Sequence, residues 1–307
     1  MIKSPQMKPR LYSIHKRKSK VNLSQFAKAG KAKLTSLLLK NLPHTPVVKN
    51  LKDLAAKIKQ ARKKKKEIIF MYGAHIIKCG LSPLVIDLVK KGFITSLATN
   101  GAGIIHDFEI ALCGKTSEDV ASNLKKGMFG MARETGAFIN KAASLAFKRD
   151  IGLGESLGRL IDEEKLKYRN HSICFEAFRK KIPFCVFVGI GTDIVHQHPD
   201  ANGAFIGFSS FRDFRIFREV VSGLEAGVVI NFGSAVILPE VFLKALNLSR
   251  NLGFKVRNFT AANFDMHAMY RAYENVVNRP TQGKGHYFIG YHEIMLPLLY
   301  QMLLNQI

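Results

Sequence analysis

From Glu67 onward, short apolar runs alternate with polar or glycine-rich turns and with longer stretches of helical spacing. Ile68-Ile69-Phe70-Met71-Tyr72, Phe93 to Ala98, Pro183-Phe184-Cys185-Val186-Phe187-Val188 and Val228-Val229-Ile230-Asn231 have strand length and are largely apolar. Such runs suit parallel strands buried on both faces. Pro83 fits the first turn of a helix through Leu84, Ile86, Leu88 and Val89. Pro239 starts another through Phe242, Leu243, Leu246 and Leu248, which Gly253 ends. Lys255 to Phe259 is expected as a further strand, leading into the turn Thr260-Ala261-Ala262-Asn263-Phe264-Asp265. The segment from Ser117 to about Tyr168 reads as mostly helical, with a break at Gly152-Leu153-Gly154, and suits a lid or an oligomer surface. This alternation predicts an α/β fold: a Rossmann-like open, mainly parallel sheet with helices on both faces. Its ligand site is expected along the carboxyl ends of the strands.

The turns at those strand ends carry the candidate chemistry. Thr99-Asn100-Gly101-Ala102-Gly103 passes directly into a helix, which leaves backbone N–H groups free to face an anion. A full dinucleotide fingerprint needs a third glycine, and that place holds His106. The other turns are Gly73-Ala74-His75, Gly189-Ile190-Gly191-Thr192-Asp193 and Phe232-Gly233-Ser234-Ala235. His75, His106 and Asp107 are the candidate catalytic residues, an imidazole being suited to proton transfer near neutral pH. His196 and His198, with nearby carboxylates, form a second candidate as divalent-metal ligands; an exposed loop without metal is the favoured reading. His292 and Glu293 remain open.

Charge divides the chain unevenly. The net charge is +24 over 307 residues, yet 20 Lys and Arg against the single Asp53 fall before Glu67. The remainder holds 27 basic and 22 acidic side chains. Two units are therefore expected: a basic, partly helical extension over 1–66 and an α/β domain over 67–307. Helical spacing of Leu51, Leu54, Ala55 and Ile58 predicts that the end of the extension packs on the body. For the rest, a solvated arm is preferred over a tail for nucleic acid or an anionic surface, or a transit peptide. The runs at Lys16–Lys20 and Arg62–Lys66 could neutralise phosphates but lack aromatics for base stacking. No apolar run approaches a membrane span. Cys79, Cys113, Cys174 and Cys185 form no C-x-x-C pair, and a reduced, cytoplasmic protein is expected.

In order and spacing, these turns resemble those of the deoxyhypusine synthase superfamily over about residues 67–280. Gly73 to Gly80 stands at that family's first nucleotide-contacting turn. Thr99 to Gly103 is similar to its Thr-Thr-Ala-Gly-Gly turn, with Asp107 on the acidic residue that follows. Thr192-Asp193 resembles a Thr-Asp pair whose aspartate holds an NAD ribose, and Thr260-Ala261 with Phe264-Asp265 resemble two late elements. The resemblance implies NAD as cofactor, held by Thr99, Asn100, Gly101, Ala102, Gly103, Thr192, Asp193, Gly233, Ser234, Thr260, Ala261 and Asp265. It also implies a homo-oligomer, tetramers being common among such proteins.

One departure limits the resemblance. Family members carry a lysine that forms an imine with the substrate's butyl group, and here Ile237 or Leu238 occupies that place. Deoxyhypusine synthesis is therefore not expected. The reading is an NAD-binding protein of the transferase type acting on an unidentified small amine or polar metabolite. A metal-dependent hydrolase and a non-catalytic nucleotide- or RNA-associated protein are the alternatives.

Overall fold

The computed structural model describes residues 8–30 and 35–305. Its strands are β1 (Ser19–Asn22), β2 (Ile68–Tyr72), β3 (Ser96–Asn100), β4 (Lys115–Glu118), β5 (Phe184–Phe187), β6 (Val228–Phe232), β7 (Thr260–Asp265) and β8 (His286–Ile289). Six of them form one parallel sheet in the order β5-β3-β2-β6-β7-β8. Numbered within the sheet alone, this is the doubly wound order 3-2-1-4-5-6. Chain order reverses between β2 and β6, and ligands in open α/β sheets bind outside the carboxyl ends at such a reversal.

The central strand β2 is buried along its whole length, which accounts for its unbroken apolar sequence. Phe70, Tyr72, Phe232 and Phe264 face helices that include Pro46–Lys63 and His292–Leu304. Ile69, Met71 and Val229 face the helices Gly203–Ser222 and Ile237–Asn251. On the first face Phe232, Phe264 and Phe288 occupy paired positions of β6, β7 and β8. Their rings stack at 4.3 and 4.6 Å between centroids, a cross-strand ladder that helps fix the register. At the β5 edge, unpaired backbone groups are met by side chains of the Gly203–Ser222 helix. Val186 N–H donates to Asp213, and Ser210 accepts from Val188 N–H while donating to the Val186 carbonyl. This covering removes an exposed template for intermolecular pairing.

Parts of the described residues before Glu67 pack on the body. Strand β1 pairs antiparallel with β4, Ile14 is buried, and Arg17 forms a buried ion pair with Glu109. Leu51, Leu54, Ala55, Ile58 and Ala61 bury one face of the Pro46–Lys63 helix. Lysine-rich composition concealed this, because most of the described lysines occupy outward positions while a few apolar and arginine side chains make the contacts.

Two further differences from the sequence reading matter for the site. Residues 255–259 are not a strand: Glu225 accepts the Arg257 and Asn258 N–H groups and bends the chain there. Thr260–Asp265 is itself β7, and its small side chains are buried in the sheet. Thr260 and Ala261 therefore lie at the amino edge, roughly 16 Å along the strand from its carboxyl end. Among the described residues, no helix is long and apolar enough to cross a membrane.

Candidate active site at the carboxyl edge of the sheet

Two short loops meet where strand order reverses. Gly73 follows β2 and donates its N–H to the Phe232 carbonyl, while Gly233 follows β6 and donates to the Phe264 carbonyl. A Cβ on Gly73 would lie 2.3 Å from the Gly233 carbonyl oxygen, so only glycine permits this approach. Gly233 has φ +66°, and a Cβ there would lie 2.4 Å from His292 Nε2. The buried amide of Asn231 donates to the Ser234 carbonyl at 2.9 Å and to Asn263 Oδ1 at 2.6 Å, which fixes the second loop.

Four polar side chains are grouped around these loops. His75 is exposed at the start of the short helix His75–Lys78. His292 opens the last long helix, its buried ring edge-on to Phe232 at 5.6 Å, with Nδ1 unpartnered. Asp265 ends β7 and accepts from Met266 N–H at 2.7 Å, and Glu293 follows His292. Partial burial and the Lys78 charge lower the His75 pKa, against the opposing pull of Asp265 and Glu293. Burial likewise lowers that of His292, opposed by Asp265. Both imidazoles are thus neutral near pH 7 and able to accept a proton. The Cys79 thiol is pushed up to about 11 by burial and by Glu293, so it is not a ready nucleophile.

The other half of the edge surrounds the start of the Gly101–Cys113 helix. Asn100 caps it, accepting from Gly103 N–H at 2.9 Å. Replacing Asn100 with alanine is expected to cost about 1 kcal/mol of stability, measurable by urea unfolding. The Thr99 hydroxyl donates to the Tyr72 carbonyl at 2.9 Å and is fully buried, so it ties β3 to β2. Ala102 is half-buried in the first turn. The Asp193 carboxylate lies over Gly101, where a Cβ would come within 1.9 Å of Oδ2. Burial pushes its pKa up to about 6. The cavity bounded by Gly101, Asp193 and His196 measures only 10 Å³. Thr192, on the exposed loop beside it, donates to the Gly189 carbonyl.

Several residues singled out in the sequence are placed elsewhere. Asp107 accepts from the Ser172 hydroxyl and from the N–H groups of Ile173 (2.8 Å) and Cys174 (3.3 Å), so its carboxylate holds the start of the Ile173–Lys180 helix. His106 Nδ1 lies 2.6 Å from the Thr116 hydroxyl, and burial lowers its pKa to about 4. Asp107 is thereby committed to that helix, whereas the His106 imidazole is near enough to His75 and Lys78 for their charges to lower its pKa further. His196 Nδ1 accepts from the N–H groups of Gly191 and Asp193, whereas buried His198 pairs through Nε2 with the Gly130 carbonyl. The two imidazoles do not converge. Among the described residues no group of three or more His, Cys, Asp or Glu could hold a metal ion. His75, Gly233, Ser234 and Asp265 are brought together; Thr260 and Ala261 are at the opposite edge.

Comparison with known proteins agrees with this fold. The sequence model of the arginine dihydrolase ArgZ-like, C-terminal, Rossmann-fold family matches residues 52–186, less than half of the chain. No curated protein sequence matches. A solved protein from Methanococcus maripaludis S2, described as LOR/SDH, superposes with TM-score 0.56 at 18% identity, over 85% of this chain and 68% of that one. AgrE in complex with ornithine and NAD+ gives 0.54 at 16%, over 82% of this chain and 32% of AgrE. A protein from Entamoeba histolytica described as a deoxyhypusine synthase gives 0.51 at 12%, over 90% and 96%. At these identities the likeness is one of fold, and the chain spans about a third of the AgrE length.

Proposed function

We propose that this chain is an NAD-binding enzyme acting on a small amine or polar metabolite at the junction of β2 and β6. The observation that carries the reading is the contact of the Gly73 and Gly233 loops at the strand-order reversal, with His75, His292, Asp265 and Glu293 around it. Carboxylates suit a cationic amine, and neutral imidazoles suit proton removal from it. The capped start of the Gly101–Cys113 helix would take the dinucleotide's phosphates. The Asp193 carboxylate lies over Gly101 beside that helix start, where it would accept hydrogen bonds from the ribose hydroxyls of a bound dinucleotide. Nicotinamide supplies hydride exchange when bound. AgrE, with the same fold, is known with ornithine and NAD+, which supports both the cofactor and an amine-bearing substrate. Leu238 is buried in the core and Ile237 is aliphatic, so neither can replace the imine-forming lysine. Self-association is part of the proposal: Ile289, Tyr291 and Ile294 are exposed beside His292 and Glu293.

Mass spectrometry of the purified protein for retained nucleotide, followed by NAD titration of wild type and Asp193→Ala, tests the cofactor. NAD should bind the wild type and at least about tenfold more weakly the variant, through lost ribose hydrogen bonds. Absence of both retained nucleotide and NAD affinity would remove the cofactor from the proposal.

A further inference from the structure

A large concave feature lies at the other end of the sheet. A cavity of 780 Å³ opens at the amino edge of β6 and β7, beside Gly227, Val228 and Thr260. Lys57, Lys64, Arg250, Arg257, Arg279 and Lys284 line it, and no Asp or Glu does. The volume is that of a small-molecule site.

Two of these cations are already engaged. Arg250 donates to the carbonyls of Val256 and Pro280, and Arg279 pairs with Glu274 at 3.2 Å. The side chains of Lys57, Lys64, Arg257 and Lys284 make no hydrogen bond or ion pair among the described residues. The nearby Glu225 does not line the cavity, and it accepts from the N–H groups of Arg257 and Asn258 at 2.7 and 3.0 Å. Complementing helix C-termini explains part of this charge, since Lys64, Arg250 and Arg279 stand at helix ends. It does not explain Arg257 and Lys284, which are on loops. Arg250 and Arg257 are close enough that the charge of one, after burial, lowers the pKa of the other. The rim also holds Ala226 and Gln282 in left-handed conformations, φ +60° and +56°, a backbone arrangement enriched at ligand clamps.

We propose that this cavity binds a compact small molecule carrying clustered phosphates. The six cations outnumber the counter-charges near them, Glu274 on Arg279 and Glu225 beside Arg250. The excess is mutually repulsive, and an anion with several adjacent charges relieves that repulsion while satisfying the free donors. Concavity favours a compact ligand over a nucleic-acid strand, and Phe259 is the one aromatic in the lining.

Calorimetric titration of the full chain with inorganic tripolyphosphate is the test, repeated with Arg257→Ser/Lys284→Ser. Saturable binding is expected, weakened by salt and reduced at least about tenfold in the double variant, with its melting temperature and NAD affinity unchanged. Retention of tripolyphosphate binding in Asp193→Ala would separate this cavity from the carboxyl edge. No saturable binding, or equal binding in the double variant, overturns the proposal. Loss of binding in Asp193→Ala, or tight binding of single-stranded RNA without tripolyphosphate binding, does so equally.

Discussion

Arg17→Ala is expected to destabilise the protein by about 3–5 kcal/mol, because it strands a buried carboxylate. Glu109 is 1% exposed at its side chain and Arg17 is 4% exposed. The guanidinium meets both carboxylate oxygens, at 2.9 and 2.6 Å, and the hydroxyls of Thr116 and Thr135 complete the arrangement. Without Arg17 the two threonine bonds remain, too few to replace the solvation of a charge. A chain of this size should lose roughly 10 °C in melting temperature. Combining Arg17→Ala with Glu109→Gln should recover part of the loss, since no charge is then left unpaired. A loss below about 1 kcal/mol would mean that the segment around β1 is peripheral to the cooperative unit. The expected loss would make residues 12–22 an integral strap across the Gly101–Cys113 helix.

That strap shows what charge counting misses. Net charge records how many lysines precede Glu67, not that one arginine among them reaches a buried glutamate. Strands were legible where burial on both faces left an unbroken apolar run, as in β2, β5 and β6. They were illegible where the strand carries small or mixed side chains: Thr260-Ala261-Ala262 in β7 reads as a loop, and His286–Ile289 gives no clear alternation. The misplacement of Thr260 followed directly, for a shift of one strand length carries a residue from one edge of the sheet to the other. At the site, the glycine turns and Asp265 were readable from their positions after apolar runs. Asp107 follows the edge by position in sequence yet is turned to the Ile173–Lys180 helix, while His106 meets the Thr116 hydroxyl and still feels the charges of His75 and Lys78. The grouping of His292 with His75 has no local signal. It depends on the last helix starting beside Gly233.

Stability should fall by about 2 kcal/mol between pH 6.5 and 8, and Asp213→Asn should abolish most of that slope. Asp213 is buried on the Gly203–Ser222 helix and accepts from the N–H groups of Gly154 and Val186 at 3.1 and 2.9 Å. Burial outweighs these bonds and pushes its pKa up to about 8. Below the ordinary aspartate pKa both folded and unfolded chains hold this proton, so the group has no pH-linked effect. As pH rises from there to about 8, the unfolded chain has released the proton and the folded chain still binds it, which favours unfolding progressively. Asp107 and Asp193, raised to about 6, act in the same direction only below that pH. Lowered imidazoles, including His75, His106 and His292, act oppositely and only up to their ordinary pKa near 6.5. Between pH 4 and 6.5 these contributions offset one another; above it, through pH 8, Asp213 dominates. Urea unfolding of wild type and Asp213→Asn across pH 6–8.5 measures the slope. Equal slopes in both would show that the Asp213 carboxylate is ionised throughout, held so by its backbone N–H donors, and that the link between β5 and its covering helix is charged at neutral pH.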